Sequence, residues 1–148
     1  MKKKIDVYEH MGEILKRVKS GVLITGKADD KVNSMTISWG MVGIEWGKPI
    51  FVTFIRENRF TRSLIEKTGE FTVSIPIDDS AKKILGFCGS KSGRDIDKAK
   101  EIGLTYEEPE MTSVPGVKEL PLTLECKVVY KQAQDMNAMT EENKAKFY

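Results

Sequence analysis

Five segments of this 148-residue chain read as strands, and no regular series of crossover helices separates them. That pattern does most to limit the fold. Residues 21–28 (Gly-Val-Leu-Ile-Thr-Gly-Lys-Ala) read as one strand, Asp29-Asp30-Lys31 as a turn, and residues 32–39 as the returning partner. Residues 50–55 are almost wholly apolar, as a strand covered on both faces would be. Phe71, Val73 and Ile75 alternate with Thr72 and Ser74, and the period continues at Leu122, Leu124, Cys126, Val128 and Tyr130. Parallel neighbours each need a long crossover, usually a helix. The spacing therefore argues against a doubly wound parallel sheet. It predicts a mainly β chain, an antiparallel sheet or barrel with helices packed outside.

The helices read as coverings. Asp6 and Glu9 have capping-box spacing, and Val7, Met11, Leu15 and Val18 recur at helical period before Gly21. Asn58 is the expected N-cap of a second helix that turns Phe60, Leu64 and Ile65 inward and stops at Gly69. A short helix is expected over residues 80–85, and another capped by Asp95 or Asp97 and running to Ile102. A polar helical stretch is expected over residues 135–148. Length, together with the lack of repeats or linkers, predicts a single domain over residues 1–148.

Composition narrows the function classes. Twenty-four basic against 22 acidic residues is too even for a typical nucleic-acid binder. Lys2-Lys3-Lys4 is followed by no long apolar run, so neither a signal peptide nor a membrane anchor is expected, and the cytoplasm is the expected compartment. Two cysteines, Cys88 and Cys126, and one histidine, His10, are too few for a zinc or non-haem iron centre, so no metal is expected. Cys88 reads as a small packed thiol, and Trp39 and Trp46 as core side chains unless Trp39 borders a site.

Three polar segments stand at the ends of ordered elements: Asn33 to Gly40, Arg56 to Thr61, and Gly89 to Asp95. Hydroxyls, basic side chains and glycines recur in all three, an inventory that suits a phosphate attached to an aromatic ring system. Residues 86–92 lack the Gly-Lys-Ser/Thr order of a Walker A loop, and no Gly-x-Gly-x-x-Gly follows a strand. The physics of anion binding remains. Arg59 and Thr61 open a helix, where free N–H groups attract anions, and Arg56 ends the preceding strand. Residues 90–93 can form a backbone concavity below Lys91 and Lys98. Thr36 and Ser38 share a strand face beside Trp39. No pair of side chains is placed for acid–base or nucleophilic catalysis.

The ordered set resembles the flavin reductase-like family, in its flavoredoxin branch. It comprises Asn33-Ser34-Met35-Thr36-Ile37-Ser38-Trp39-Gly40, Gly47-Lys48-Pro49, Arg56 with Arg59-Phe60-Thr61, Gly69-Glu70-Phe71-Thr72-Val73 and Ser92-Gly93-Arg94-Asp95-Ile96-Asp97-Lys98. The resemblance implies an antiparallel split β-barrel, a homodimer, and FMN near the subunit interface. It implies that Asn33, Met35, Thr36, Ser38 and Trp39 run alongside the ring and ribityl chain, with Arg56, Arg59 and Thr61 on the phosphate side. Ser90, Lys91, Ser92, Gly93 and Lys98 would close the other side. The implied role is that of an oxidoreductase or electron carrier, taking electrons from NAD(P)H or a redox protein. Relatives of this kind continue beyond the segment matching Lys146-Phe147-Tyr148 into another strand, which this sequence does not contain; an exposed sheet edge is expected in its place. Two other readings are a small barrel stacking single-stranded nucleic acid on Trp39 and Phe60, and a relative that keeps the fold without the cofactor.

Overall fold

A computed structural model describes residues 2–148. The chain is mainly β, with antiparallel sheets and helices outside them. Strands β1 (Val22–Ala28), β2 (Lys31–Ile37), β5 (Glu70–Ile75) and β8 (Leu122–Lys127) form a four-stranded sheet in the order β2-β1-β5-β8. Strands β3 (Gly40–Glu45) and β4 (Lys48–Thr53) form a separate hairpin, and β6 (Tyr106–Glu107) pairs with β7 (Gly116–Val117). All the pairings are antiparallel.

Strand alternation gives the large sheet two different faces. Val22, Ile24, Met35, Ile37, Phe71, Val73 and Ile75 join Ile14 and Val18 in one wholly apolar core. Helix α1 (Met11–Ser20) covers this core, and Val42 and Phe51 of the β3–β4 hairpin pack against it. On the opposite face Leu23 packs with Ala81, Cys88, Val117 and Leu120. Buried hydroxyls share that face. Thr25 Oγ1 and Ser34 Oγ are 2.7 Å apart, Thr72 donates to Pro115 O at 2.7 Å, and Ser74 Oγ accepts from the Val117 N–H at 3.1 Å. Among the described residues every buried side-chain nitrogen and oxygen has a hydrogen-bond partner, as desolvation requires.

Several sequence expectations shift. Asp6 accepts from the Tyr8 N–H and starts a 3-10 turn over Val7–Glu9; α1 itself begins at Met11. Its buried side chains are Ile14 and Val18, so Leu15, expected inward, is 48% exposed. Strand β2 ends at Ile37, ahead of Trp39, and β8 ends at Lys127. The expected strand over residues 50–55 is displaced to Lys48–Thr53 and pairs with β3, which has no clean alternation to announce it. Trp46 lies outside the core, 64% exposed in the two-residue turn of this hairpin. There φ is 50° at Trp46 and 69° at Gly47, as a primed hairpin turn demands.

Helix α2 (Phe60–Thr68) follows β4 and ends at Gly69, which is left-handed with φ 69°. The helix expected over residues 80–85 is a 3-10 turn, Asp79–Ala81, leading into α3 (Lys82–Ser90). Asp97 caps α4 (Lys98–Ile102) by accepting from the Lys100 N–H. The C-terminal stretch carries a 3-10 turn, Met136–Ala138, and helix α5 (Glu141–Phe147). Among the described residues no helix is long and apolar enough to cross a membrane.

Candidate cofactor site

Strand β2 is the outer strand of its sheet, so its outward backbone groups have no strand partner. Two adjoining pockets lie along it. The first, about 180 Å³, is walled by Asn58, Arg59, Phe60 and Thr61 on one side and Cys88 to Gly93 on the other. Asn33, Met35, Thr36 and Lys98 complete its lining. The second, about 190 Å³, is lined by residues 35–39 together with Phe54, Ile55, Arg56 and Arg59. Met35, Thr36 and Arg59 belong to both. Each alone falls below the ~300 Å³ at which small-molecule pockets begin; joined, they reach it.

Every residue expected from sequence lines one pocket or the other. Asn33, Met35, Thr36, Arg59, Thr61, Ser90, Lys91, Ser92, Gly93 and Lys98 meet in the first; Ser38, Trp39 and Arg56 lie in the second. The pairs that border each other come from far apart in the chain. Asn33 Nδ2 donates to Thr61 Oγ1 at 2.8 Å, both side chains being buried, which fixes the threonine hydroxyl at the start of α2. Gly93 lies so close to β2 that an added Cβ would sit 2.2 Å from Asn33 Oδ1 and 2.8 Å from the Phe60 ring. Only glycine fits this approach.

The first pocket is built around positive charge. Arg59 takes the N-cap position of α2 in place of the expected Asn58, and no side chain caps the helix. Its first N–H groups therefore have no side-chain acceptor, and Arg59, Phe60 and Thr61 at this end line the pocket. Lys98, expected as a cofactor contact, is only 3% exposed. Its ammonium donates to Ser34 O at 3.1 Å and Cys88 O at 2.8 Å, tying β2 to α3 and leaving a third N–H. Burial lowers its pKa; the adjacent Cys88 thiol opposes that shift and the Arg59 charge adds to it. Among the described residues none of Arg56, Arg59, Lys91 or Lys98 has a carboxylate within ion-pair distance. A buried cation without a counter-ion is costly. An anion in this pocket would relieve it.

The second pocket is built around rings. Arg56 stacks over Trp39 with its guanidinium carbon 5.1 Å from the ring centroid. Phe147 meets Trp39 edge to face at 5.5 Å, and Tyr148 lies tilted at 6.2 Å. Thr36, expected to share an open face with Ser38, is half-buried and donates to Leu85 O at 2.6 Å; Ser38 is exposed. Cys88 at the floor of the first pocket has its thiol pKa pushed up, chiefly by burial, so it carries little thiolate.

Sequence reading left Asn58, Phe60, Cys88 and Gly89 out of the first pocket and Ile37, Phe54 and Ile55 out of the second. Adjacency to Arg59, Ser90 and Arg56 was the available signal. Residues 15–139 match the family described as flavin reductase like domain. An uncharacterised protein of Archaeoglobus fulgidus is 32% identical over 120 residues, 81% of this chain and 66% of that one. Among solved structures, flavoredoxin of Desulfovibrio vulgaris superposes with a TM-score of 0.71 at 26% identity, covering 76% of this chain and 61% of its own. An FMN-binding domain of a flavin reductase-like enzyme from Shewanella baltica gives 0.70 at 18% identity over 93% of this chain and 68% of that one, a likeness of fold. The chain thus spans under two thirds of that flavoredoxin's length. It belongs to the flavin reductase like domain family.

Proposed function

We propose that the joined pockets bind FMN, and that the protein is an FMN-dependent oxidoreductase or electron carrier. The phosphate lies in the first pocket, against Arg59, Thr61, Lys91, Ser92 and the start of α2. The ring lies along β2 toward Ser38, Trp39 and Arg56. One observation carries the reading: unpaired cations, one of them buried, ring an uncapped helix start next to a surface of aromatic and apolar side chains. The cradle at Gly93, where a Cβ would collide with Asn33, supports it further.

Bound flavin supplies the electron and hydride chemistry, so no side-chain acid or base is required. The chain binds and orients. Asn33 holds the Thr61 hydroxyl, Lys98 fixes β2 against α3 and places a positive charge below the pocket, and Trp39 with Arg56 flanks the ring end. The outward groups of β2 offer donors and acceptors to a ring edge.

The working form is a homodimer in the cytoplasm, with the ring end near the interface and NAD(P)H or a redox protein as donor. Met41, Ile44 and Trp46, each exposed on the β3–β4 hairpin, support an interface there. The test is the visible spectrum of the purified protein, with the released ligand identified by mass. A yellow protein carrying about one FMN per chain is expected. Colourless protein that takes up no added FMN contradicts the reading.

A further inference from the structure

Trp39 flanks the second pocket without belonging to a strand. Strand β2 ends at Ile37 and β3 begins at Gly40, so Trp39 stands in the link between them. Its carbonyl accepts from Thr53 Oγ1 at 3.3 Å, a contact to its backbone. Arg56 lies over the indole, but its own side chain is exposed beyond the end of β4. Further support comes from the C-terminal helix. Phe147 meets the indole edge to face at 5.5 Å, and Tyr148 lies tilted at 6.2 Å. Neither of these rings lines either pocket, so whatever they do to a bound ring passes through Trp39.

Helix α5 is put together to make this contact. Thr140 caps it by accepting from the Asn143 N–H at 3.4 Å, and Glu141 and Glu142 in the first turn with Lys144 and Lys146 in the last complement its dipole. Lys144 pairs with Glu141 at 2.6 Å. At seven residues the helix is still too short to hold alone, since isolated helices below roughly 12 residues are marginal in water. Lys144 and Phe147 are its only side chains withdrawn from solvent, one turn apart on one face. Lys146 lies over the Phe147 ring at 5.2 Å. Tyr148 donates its hydroxyl to Gln134 Oε1 at 2.9 Å, tying the helix end to the segment before it. The family match ends at residue 139, so α5 lies wholly outside it. We infer that Phe147 is a positioning residue: α5 docks it on Trp39 and holds the indole in the orientation that the flavin ring meets. This rests on the FMN reading above. The same contact orders α5 and orients Trp39.

The test titrates the full chain with FMN and riboflavin by quenching of flavin fluorescence, comparing wild type, Phe147→Ala, Trp39→Ala and the double variant. Phe147→Ala is expected to weaken both flavins alike by about threefold, the worth of one edge-to-face ring pair. In the Trp39→Ala background the same change is expected to cost nothing further, because Phe147 acts through Trp39. Unchanged affinity in Phe147→Ala, a loss confined to FMN, or losses that multiply in the double variant would each overturn the inference and leave the FMN site standing. A second readout needs no flavin. With Trp46→Phe leaving Trp39 as the only indole, Phe147→Ala is expected to red-shift its emission and raise its quenching by acrylamide. Unaltered emission and quenching overturn the clamp. Wild type that binds neither flavin overturns the FMN reading, and the role assigned to Phe147 falls with it, whatever the emission shows.

Discussion

The two pockets share three residues yet recognise by different physics. The first gathers Arg59, Lys91, Lys98 and an uncapped helix start around hydroxyls and a glycine cradle. The second offers Trp39, Phe54 and Ile55, with the Arg56 guanidinium over the indole. Charge and directed hydrogen bonds govern the first, ring surface the second. A ligand that spans both must be ionic at one end and planar at the other, and each end can be weakened separately.

The sharpest separation comes from Arg59→Ala combined with Thr61→Ala. Losing two contacts to a charged group is expected to weaken FMN about 100-fold and riboflavin by less than about threefold, read by fluorescence titration. Equal losses for the two ligands would break the division. Gly93→Ala comes next. Its Cβ must push Asn33 off Thr61, an overpacking cost typically 1–3 kcal/mol, so FMN is expected to weaken about tenfold, with a smaller loss for riboflavin. Trp39→Ala is expected to weaken FMN and riboflavin alike by about fivefold, because it removes ring contact alone. A loss confined to FMN would place Trp39 with the phosphate.

A change away from both pockets provides the baseline. Burial tends to raise the Glu125 pKa, but the backbone N–H groups of Glu110, Met111 and Thr112 outweigh it and hold the carboxyl below its ordinary value. A depressed carboxylate pKa stabilises the fold above the unfolded value, and this contribution fades as pH falls through the folded one. Glu125→Gln is therefore expected to cost about 1 kcal/mol at neutral pH, from weaker hydrogen bonds. The gap from wild type should close in acid, as followed by thermal melts across pH, with FMN affinity unchanged.

The division was partly legible in the sequence. The alternating strands and the three polar segments carried the fold class and every lining residue first expected, because period and side-chain chemistry are local properties. Long-range placement was not legible. Lys98 sits in a charge run that reads as a solvated face, yet α4 turns it under β2 to two carbonyls. Strand β3, with Gly40 and Gly43 breaking its alternation, is defined by its pairing with β4. Arg59 takes the N-cap of α2 in place of Asn58, whose carbonyl accepts from Arg94, 36 residues later. Trp46 looked like core because it is large; the turn it occupies turns it outward.

The most direct measurement is the affinity of the wild-type protein for FMN against riboflavin, which differ only in the phosphate. The account predicts FMN tighter by about 100-fold or more, the gain of at least two charge-assisted contacts in the first pocket. Equal affinities would contradict it, leaving the cations at Arg59, Lys91 and Lys98 without the anion they are arranged to hold.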